Sequence, residues 1–212
     1  MGEKTEKLLS ILKLQPVVPV LVVEDAVSAV PLARALVAGG LKAIEITLRT
    51  AGALDAIRAV AEEVEGAEVG AGTILNASQW DAAVAAGSKF IVSPGTTQEL
   101  LDAARASDVP LLPGAATASE VMALREEGYK VLKFFPAEQA GGAAYLKALS
   151  SPLAGTLFCP TGSISLKNAR DYLSLPNVVC VGGSWVAPKE LVAAGDWAGI
   201  TKLAAEAAAL KG

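Results

Sequence analysis

The sequence predicts an α/β fold, a single-domain (β/α)8 TIM barrel with an extra N-terminal helix, on three observations. Short apolar runs recur at regular spacing, each followed by an Ala-rich helical stretch or a shorter linker. Strands that alternate with helices form a parallel sheet with right-handed crossovers, and eight such units favour a closed barrel over an open doubly wound sheet. A length of 212 residues suits one compact barrel with short loops, and no linker, charge block or low-complexity segment marks a second domain, so 1–212 reads as one unit.

The elements follow in order. Residues 3–14 carry apolar side chains at Leu8, Leu9, Ile11, Leu12 and Leu14, an amphipathic helix ahead of the main fold. Residues 16–23 form a continuous apolar run, fit for a strand covered on both faces. Residues 28–38 read as a helix stopped by Gly39 and Gly40. Further strands are predicted at 43–47, 68–72, 90–93, 110–113, 131–134, 156–159 and 178–182. Helices are predicted between them at 54–64, 78–86, 98–107, 118–127, 143–149 and 166–173, with a last one at 197–210.

Hydrophobic residues make up 52% of the chain and aromatics 5%, so the core is built from Ala, Val, Leu and Ile. A net charge of −4 argues against a nucleic-acid partner, which needs clustered Lys and Arg. No apolar run is long enough for a membrane span and the opening residues are charged, so no signal peptide is read and a cytoplasmic protein is expected. Cys159 and Cys180 are isolated in sequence and are expected to be buried, reduced thiols. Histidine is absent. Proton transfer therefore falls to a carboxylate, lysine, tyrosine or water, no cofactor is expected, and a transition-metal site is disfavoured, while an all-oxygen magnesium site stays open.

Lys133 lies inside the apolar strand that Pro136 stops. Burying an ammonium is costly, and an amine held among apolar groups becomes a nucleophile of the Schiff-base kind. The plainer alternative is a strand-end lysine that reaches out to water. By alternation, Val131, Lys133 and Phe135 share one face of the strand. Of twelve lysines, this is the one that a strand would deliver to the C-terminal end of a barrel, where barrel chemistry sits. Glu45, Thr47 and Arg49 share a face at the end of the second strand, where Glu45 reads either as catalytic or as an ion-pair partner of Arg49 or a lysine. Glycine-rich loops at Gly162 and Ser163, and at Gly182, Gly183 and Ser184, follow the seventh and eighth strands, where barrels commonly bind phosphate.

The segments Glu45-Ile46-Thr47-Leu48-Arg49, Gly70-Ala71-Gly72-Thr73, Val92-Ser93-Pro94-Gly95, Leu112-Pro113-Gly114, Lys133-Phe134-Phe135-Pro136-Ala137-Glu138, Phe158-Cys159-Pro160-Thr161-Gly162 and Cys180-Val181-Gly182-Gly183-Ser184-Trp185 together resemble the 2-keto-3-deoxy-6-phosphogluconate aldolase family over nearly the whole chain. The resemblance implies a metal-independent class I aldolase on a (β/α)8 barrel, usually a homotrimer. Its small-molecule substrate is a phosphorylated 2-keto acid cleaved to pyruvate and glyceraldehyde 3-phosphate. It gives Lys133 the imine, Glu45 the proton shuttle, Arg49, Thr73 and Thr161 the substrate carboxylate, and Phe135 and Pro94 the lining of the site. Gly162, Ser163, Gly182, Gly183 and Ser184 are then phosphate contacts. The family usually shows two glycines after the threonine, and the second is Ser163 here. The extra Cβ either narrows the phosphate site or adds a donor. The alternatives are cleavage of unphosphorylated 4-hydroxy-2-oxoglutarate as the main activity, and a barrel that only binds a phosphorylated metabolite. A metal-dependent epimerase on the same fold is disfavoured by the missing histidines.

Overall fold

A computed structural model describes residues 2–210; Met1 and the last two residues of the predicted domain lie outside the described part. Helix α1 (Gly2–Leu12) leads into β1 (Val17–Leu21), and then strands and helices alternate. They run α2 (Ala26–Ala38), β2 (Ala43–Thr47), α3 (Ala53–Glu63), β3 (Glu68–Gly72), α4 (Ala77–Ala85), β4 (Ile91–Val92), α5 (Gln98–Ala106), β5 (Leu111–Leu112), β6 (Gly114–Ala115) and α6 (Ala118–Glu126). The order continues β7 (Val131–Phe134), α7 (Gly142–Leu149), β8 (Leu157–Pro160), α8 (Ala169–Leu173), β9 (Val181–Gly183), α9 (Lys189–Ala194) and α10 (Trp197–Ala208). Helix starts are fixed by side chains that take up orphan N–H groups: Asp25 accepts from Ser28 N, Asn76 from Gln79 N, and Thr117 forms a capping box with Glu120.

The result is an α/β fold on a parallel, curled sheet. Six strands pair in the order β5-β4-β3-β2-β1-β9 and three in the order β6-β7-β8, every pairing parallel. The predicted fifth strand is longer than expected and is split: Pro113, which has no N–H to give to a ladder, separates β5 from β6, while its carbonyl accepts from Lys133 N at 2.9 Å. The predicted strand at 178–182 is shorter than expected. Val178 makes only a bridge to Phe158, a second bridge joins Thr161 to Gly182, and regular pairing begins at Val181. The predicted helix at 166–173 starts late, because Asn168 Oδ1 accepts from Ser165 N and holds the preceding residues in a turn. Helix α9 was not foreseen; six residues after Pro188 carry too little periodicity.

Strand alternation sorts the apolar side chains into two cores. Ile44, Ile46, Val69, Ala71, Ile91, Leu132 and Phe134 point outward to the helices and join the larger one. Val18, Ala43, Phe90, Val92, Leu112, Val131, Cys159 and Cys180 point inward and form the smaller one, with Leu8, Ile11 and Leu12 of α1 packed among them. Helix α1 therefore packs on the inner face of the curled sheet near the N-terminal ends of the strands. Gln15 seals the same end: it is buried, donates to Val17 O at 2.9 Å and Ala43 O at 2.7 Å, and accepts from Ala43 N at 2.9 Å. The two cysteines, isolated in sequence, are neighbours here. Both are buried and free, with their sulfurs 3.5 Å apart; that contact and burial raise the Cys180 thiol well above its ordinary value, so it stays protonated.

Candidate active site

Lys133 is delivered inward by β7 and Glu45 inward by β2, strands of different sheets. Lys133 Nζ lies 3.3 Å from Glu45 Oε1, and the two residues are only 5% and 3% exposed. This excludes the reading of Lys133 as a lysine reaching out to water and identifies the partner of Glu45 as Lys133 rather than Arg49. A paired charge is the form in which such groups tolerate burial. Phe135, two residues on along the same face, places its ring centroid 5.3 Å from Lys133 Nζ. Beneath the pair lie Val131 and Cys159 of the inner core, and Cys159 is the strand partner of Lys133.

Glu45 has room because Gly72 has no side chain. Gly72 pairs with Thr47 at the end of β3, and a Cβ built there would collide with Glu45 Oε1 and its neighbouring carbons. The next residue, Thr73, has φ 61°, in the left-handed region that non-glycine residues rarely adopt. Gly114 plays a similar spatial part on the other side, since a Cβ there would meet the backbone of Ser93 and Pro94.

The other predicted site residues all lie at or just after the C-terminal ends of parallel strands and so gather at one end of the sheet. Arg49 comes after β2, Thr73 after β3, Pro94 after β4, Phe135 after β7, Thr161 and Gly162 after β8; Gly182 and Gly183 end β9. Arg49 is exposed and its guanidinium enters no ion pair among the described residues. Thr161 and Gly182 touch: they form a strand bridge, and a Cβ at Gly182 would strike Thr161 Oγ1. Ser163 has φ 57° and is exposed, as is Ser184. The backbone N–H groups of Ser163, Ile164, Ser184 and Trp185 donate to no backbone carbonyl among the described residues. No group of three or more Cys, Asp or Glu side chains that could hold a metal ion exists among them, and no helix is long and apolar enough to cross a membrane.

The model of the KDPG and KHG aldolase family matches residues 8–203. The chain belongs to this family. Among its relatives, the KHG/KDPG aldolase of Escherichia coli strain K12 is 53% identical over 198 residues, which cover 93% of each chain. A KDPG aldolase from Legionella pneumophila, with pyruvate captured as a covalent carbinolamine intermediate, superposes with a TM-score of 0.92 at 44% identity, covering 95% of this chain and 98% of the other. The 2-keto-3-deoxy-6-phosphogluconate aldolase of Zymomonas mobilis ZM4 with 3-phosphoglycerate gives a TM-score of 0.90 at 50% identity, covering 95% of each chain.

Sequence reasoning missed several residues that shape this end of the aldolase. Glu138 accepts a hydrogen bond from Tyr172, whose hydroxyl is pushed well above its ordinary value by burial and then by that carboxylate. Gln139 donates to Ser163 Oγ at 2.8 Å. Neither pair has a local spacing that would announce it. The role of Gly72 was equally hidden, because the void it leaves belongs to Glu45 on another strand. Gly72 lies outside the left-handed region, so Gly72→Ala strains nothing except that contact. The substitution is expected to displace the Glu45 carboxylate and lower aldolase turnover about 10²-fold while the far-ultraviolet circular dichroism stays that of the parent. Turnover equal to that of the parent would show that the position of Glu45 is not set by this void.

Proposed function

We propose that the chain is a class I aldolase that reversibly cleaves 2-dehydro-3-deoxy-6-phosphogluconate to pyruvate and glyceraldehyde 3-phosphate, on a closed (β/α)8 barrel stoppered by α1. The observation that carries this reading is the buried contact between Lys133 and Glu45 at the C-terminal strand ends. The carbinolamine in the Legionella relative supports it, being the adduct that an amine forms with a ketone on the way to an imine. The 3-phosphoglycerate in the Zymomonas relative supports a phosphorylated substrate. Closure of the barrel is supported by the two joins between the sheets, across Pro113 on one side and through the Thr161–Gly182 bridge on the other.

Lys133 Nζ adds to the substrate ketone, and loss of water gives an iminium. This takes up the electrons of the C3–C4 bond as Glu45 removes the proton of the C4 hydroxyl. The aldehyde departs and leaves an enamine. Glu45, now protonated, returns its proton to C3, and water releases pyruvate; one carboxylate serves both steps because cleavage hands it the proton. The iminium is the electron sink, so the reaction needs no metal and no cofactor. Arg49, with Thr73 and Thr161, holds the substrate carboxylate, a task suited to a guanidinium fork. Phe135 and Pro94 line the site. The phosphate meets Gly162, Ser163, Gly182, Gly183 and Ser184, whose loops carry N–H groups that donate to no backbone carbonyl among the described residues. The same amine and carboxylate serve a second activity, cleavage of 4-hydroxy-2-oxoglutarate to pyruvate and glyoxylate, which is supported by the double name of the Escherichia coli relative. The enzyme acts in the cytoplasm, which suits its two free thiols. A homotrimer is supported by the exposed apolar side chains of Val22, Val27 and Leu75 beside the strand ends; a sedimentation mass of one chain would count against it.

Pyruvate with borohydride is expected to modify Lys133 and inactivate the enzyme, equally in protein treated with EDTA. Peptide mapping that finds the label chiefly on another lysine would overturn the assignment. Activity lost to EDTA and restored by a divalent metal would overturn the metal-free mechanism.

Glu45→Gln separates imine formation from proton transfer. Cleavage should fall by roughly 10²–10⁴, while pyruvate is still trapped on Lys133 when given time. Exchange of the pyruvate methyl protons with solvent deuterium should fall furthest, since it requires a base at carbon. An exchange rate within a few-fold of the parent would refute the shuttle.

A further inference from the structure

Three contacts in register join the loop after β7 to the loop after β8. Ala137 N donates to Thr161 O at 2.8 Å, Glu138 N to Gly162 O at 3.4 Å, and Gln139 Nε2 to Ser163 Oγ at 2.8 Å. The first two are backbone bonds. The third depends on two side chains, and it ends on the residue that stands where the family usually has glycine.

The two successive loop positions differ in what they demand. Gly162 has φ 113°, and a Cβ there would crowd Ala137 N at 3.1 Å and Pro136 Cα at 3.2 Å, so glycine is required. Ser163 has φ 57°, in the left-handed region, where a glycine would be free of the steric cost that any Cβ brings. Ser163 and Thr73 are the non-glycine residues with positive φ among the described residues, and both lie at the strand ends that form the site. Side chains held in such conformations cluster at ligand sites. The serine is thus held against its backbone preference, and the surrounding bonds show how. Asn168 Nδ2 donates to Ser163 O at 3.2 Å, while Asn168 Oδ1 accepts from Ser165 N at 2.8 Å, so the loop is fixed on its far side as well.

The direction of the Gln139 bond decides what the hydroxyl can do. A serine hydroxyl is one donor and an acceptor. Gln139 occupies it as an acceptor, and Ser163 Oγ donates to no protein group among the described residues. Its hydrogen is left for a ligand, beside the backbone N–H groups of Ser163 and Ile164, which donate to no backbone carbonyl among the described residues.

We propose that Ser163, oriented by Gln139, is a specificity-determining residue that donates a hydrogen bond to the phosphate of the substrate and so sharpens the preference for the phosphorylated keto acid over 4-hydroxy-2-oxoglutarate. Ser163 is the binding group and Gln139 its positioning residue. The inference rests on the aldolase reading above and deepens it. Of the two consequences the sequence left open for the extra Cβ, this selects the added donor over a narrowed site.

The test compares KM and kcat for the two substrates in the parent and in Ser163→Ala, Ser163→Gly and Gln139→Ala. A lost hydrogen bond to a charged group corresponds to a rise in KM of about tenfold or more for the phosphorylated acid in Ser163→Ala. The KM for 4-hydroxy-2-oxoglutarate and both kcat values should hold, and Gln139→Ala should show a smaller rise in the same single constant. Ser163→Gly should match Ser163→Ala in KM yet melt at a higher temperature, because it removes the backbone strain; a role in stability alone would move the melting point the other way. Parent-like KM in Ser163→Ala, or a lower KM for the phosphorylated acid in Ser163→Gly, would overturn the donor role. A parent enzyme that cleaves neither acid would overturn the aldolase reading and this inference together, whereas a preference undiminished in Ser163→Ala defeats this inference alone.

Discussion

The contact between Lys133 and Glu45 is the constraint on which the rest of the structure turns. The two residues are 88 positions apart and belong to strands that never pair, β7 in one sheet and β2 in the other. They meet only because the parallel sheet curls until its inner faces oppose each other. Removing one member of such a buried pair typically costs 3–5 kcal/mol, about the size of a large core deletion. The neighbourhood is built to make burial tolerable: Gly72 vacates space for the carboxylate, Phe135 offers its ring to the amine, and Val131 and Cys159 keep the floor apolar.

Opposite ends of the same strands carry opposite chemistry. At the N-terminal ends the Gln15 amide is satisfied within the protein, bonding both β1 and β2. At the C-terminal ends polar groups are left open: the guanidinium of Arg49 and the backbone N–H groups near Ser163 and Ser184 have no such protein partners among the described residues. Donors without protein partners at one exposed end suit an anionic ligand, which is the ground of the phosphate site proposed above.

Much of this was legible in the sequence for physical reasons. A lysine in the middle of an apolar run, followed two residues later by Phe135, is a pattern that strand alternation alone converts into a shared inward face. Glu45 in its own apolar run could be placed inward in the same way, though the run could not say whether Arg49 or a lysine would answer it. The β/α rhythm gave the parallel architecture because each element's periodicity is local. What stayed hidden was whatever two distant segments make together. Cys159 and Cys180 have no spacing motif, yet adjacent ends of the sheet bring their sulfurs into contact. The void at Gly72 has meaning only beside Glu45, and the bond from Gln139 to Ser163 only once two loops lie in register. The split at Pro113 was visible as a proline but not as a seam, since the chain runs on through Gly114 and Ala115 to pair with β7.

Helix α1 precedes in the chain every strand that it packs against, the last of them near Cys180. Its Leu8, Ile11 and Leu12 share one cluster with Val18, Val131 and Cys180, side chains contributed by almost the full length of the chain. During synthesis from the N-terminus, the helix emerges with its apolar stripe bare and has no finished cavity to enter until the segment around Cys180 has left the ribosome. Contacts of such long sequence separation form slowly and leave hydrophobic surface exposed meanwhile. The apolar stripe of α1 is therefore uncovered in the growing chain, and Glu3, Lys4, Glu6 and Lys7 on the same helix are of the charged kind that flanks such stripes and opposes aggregation.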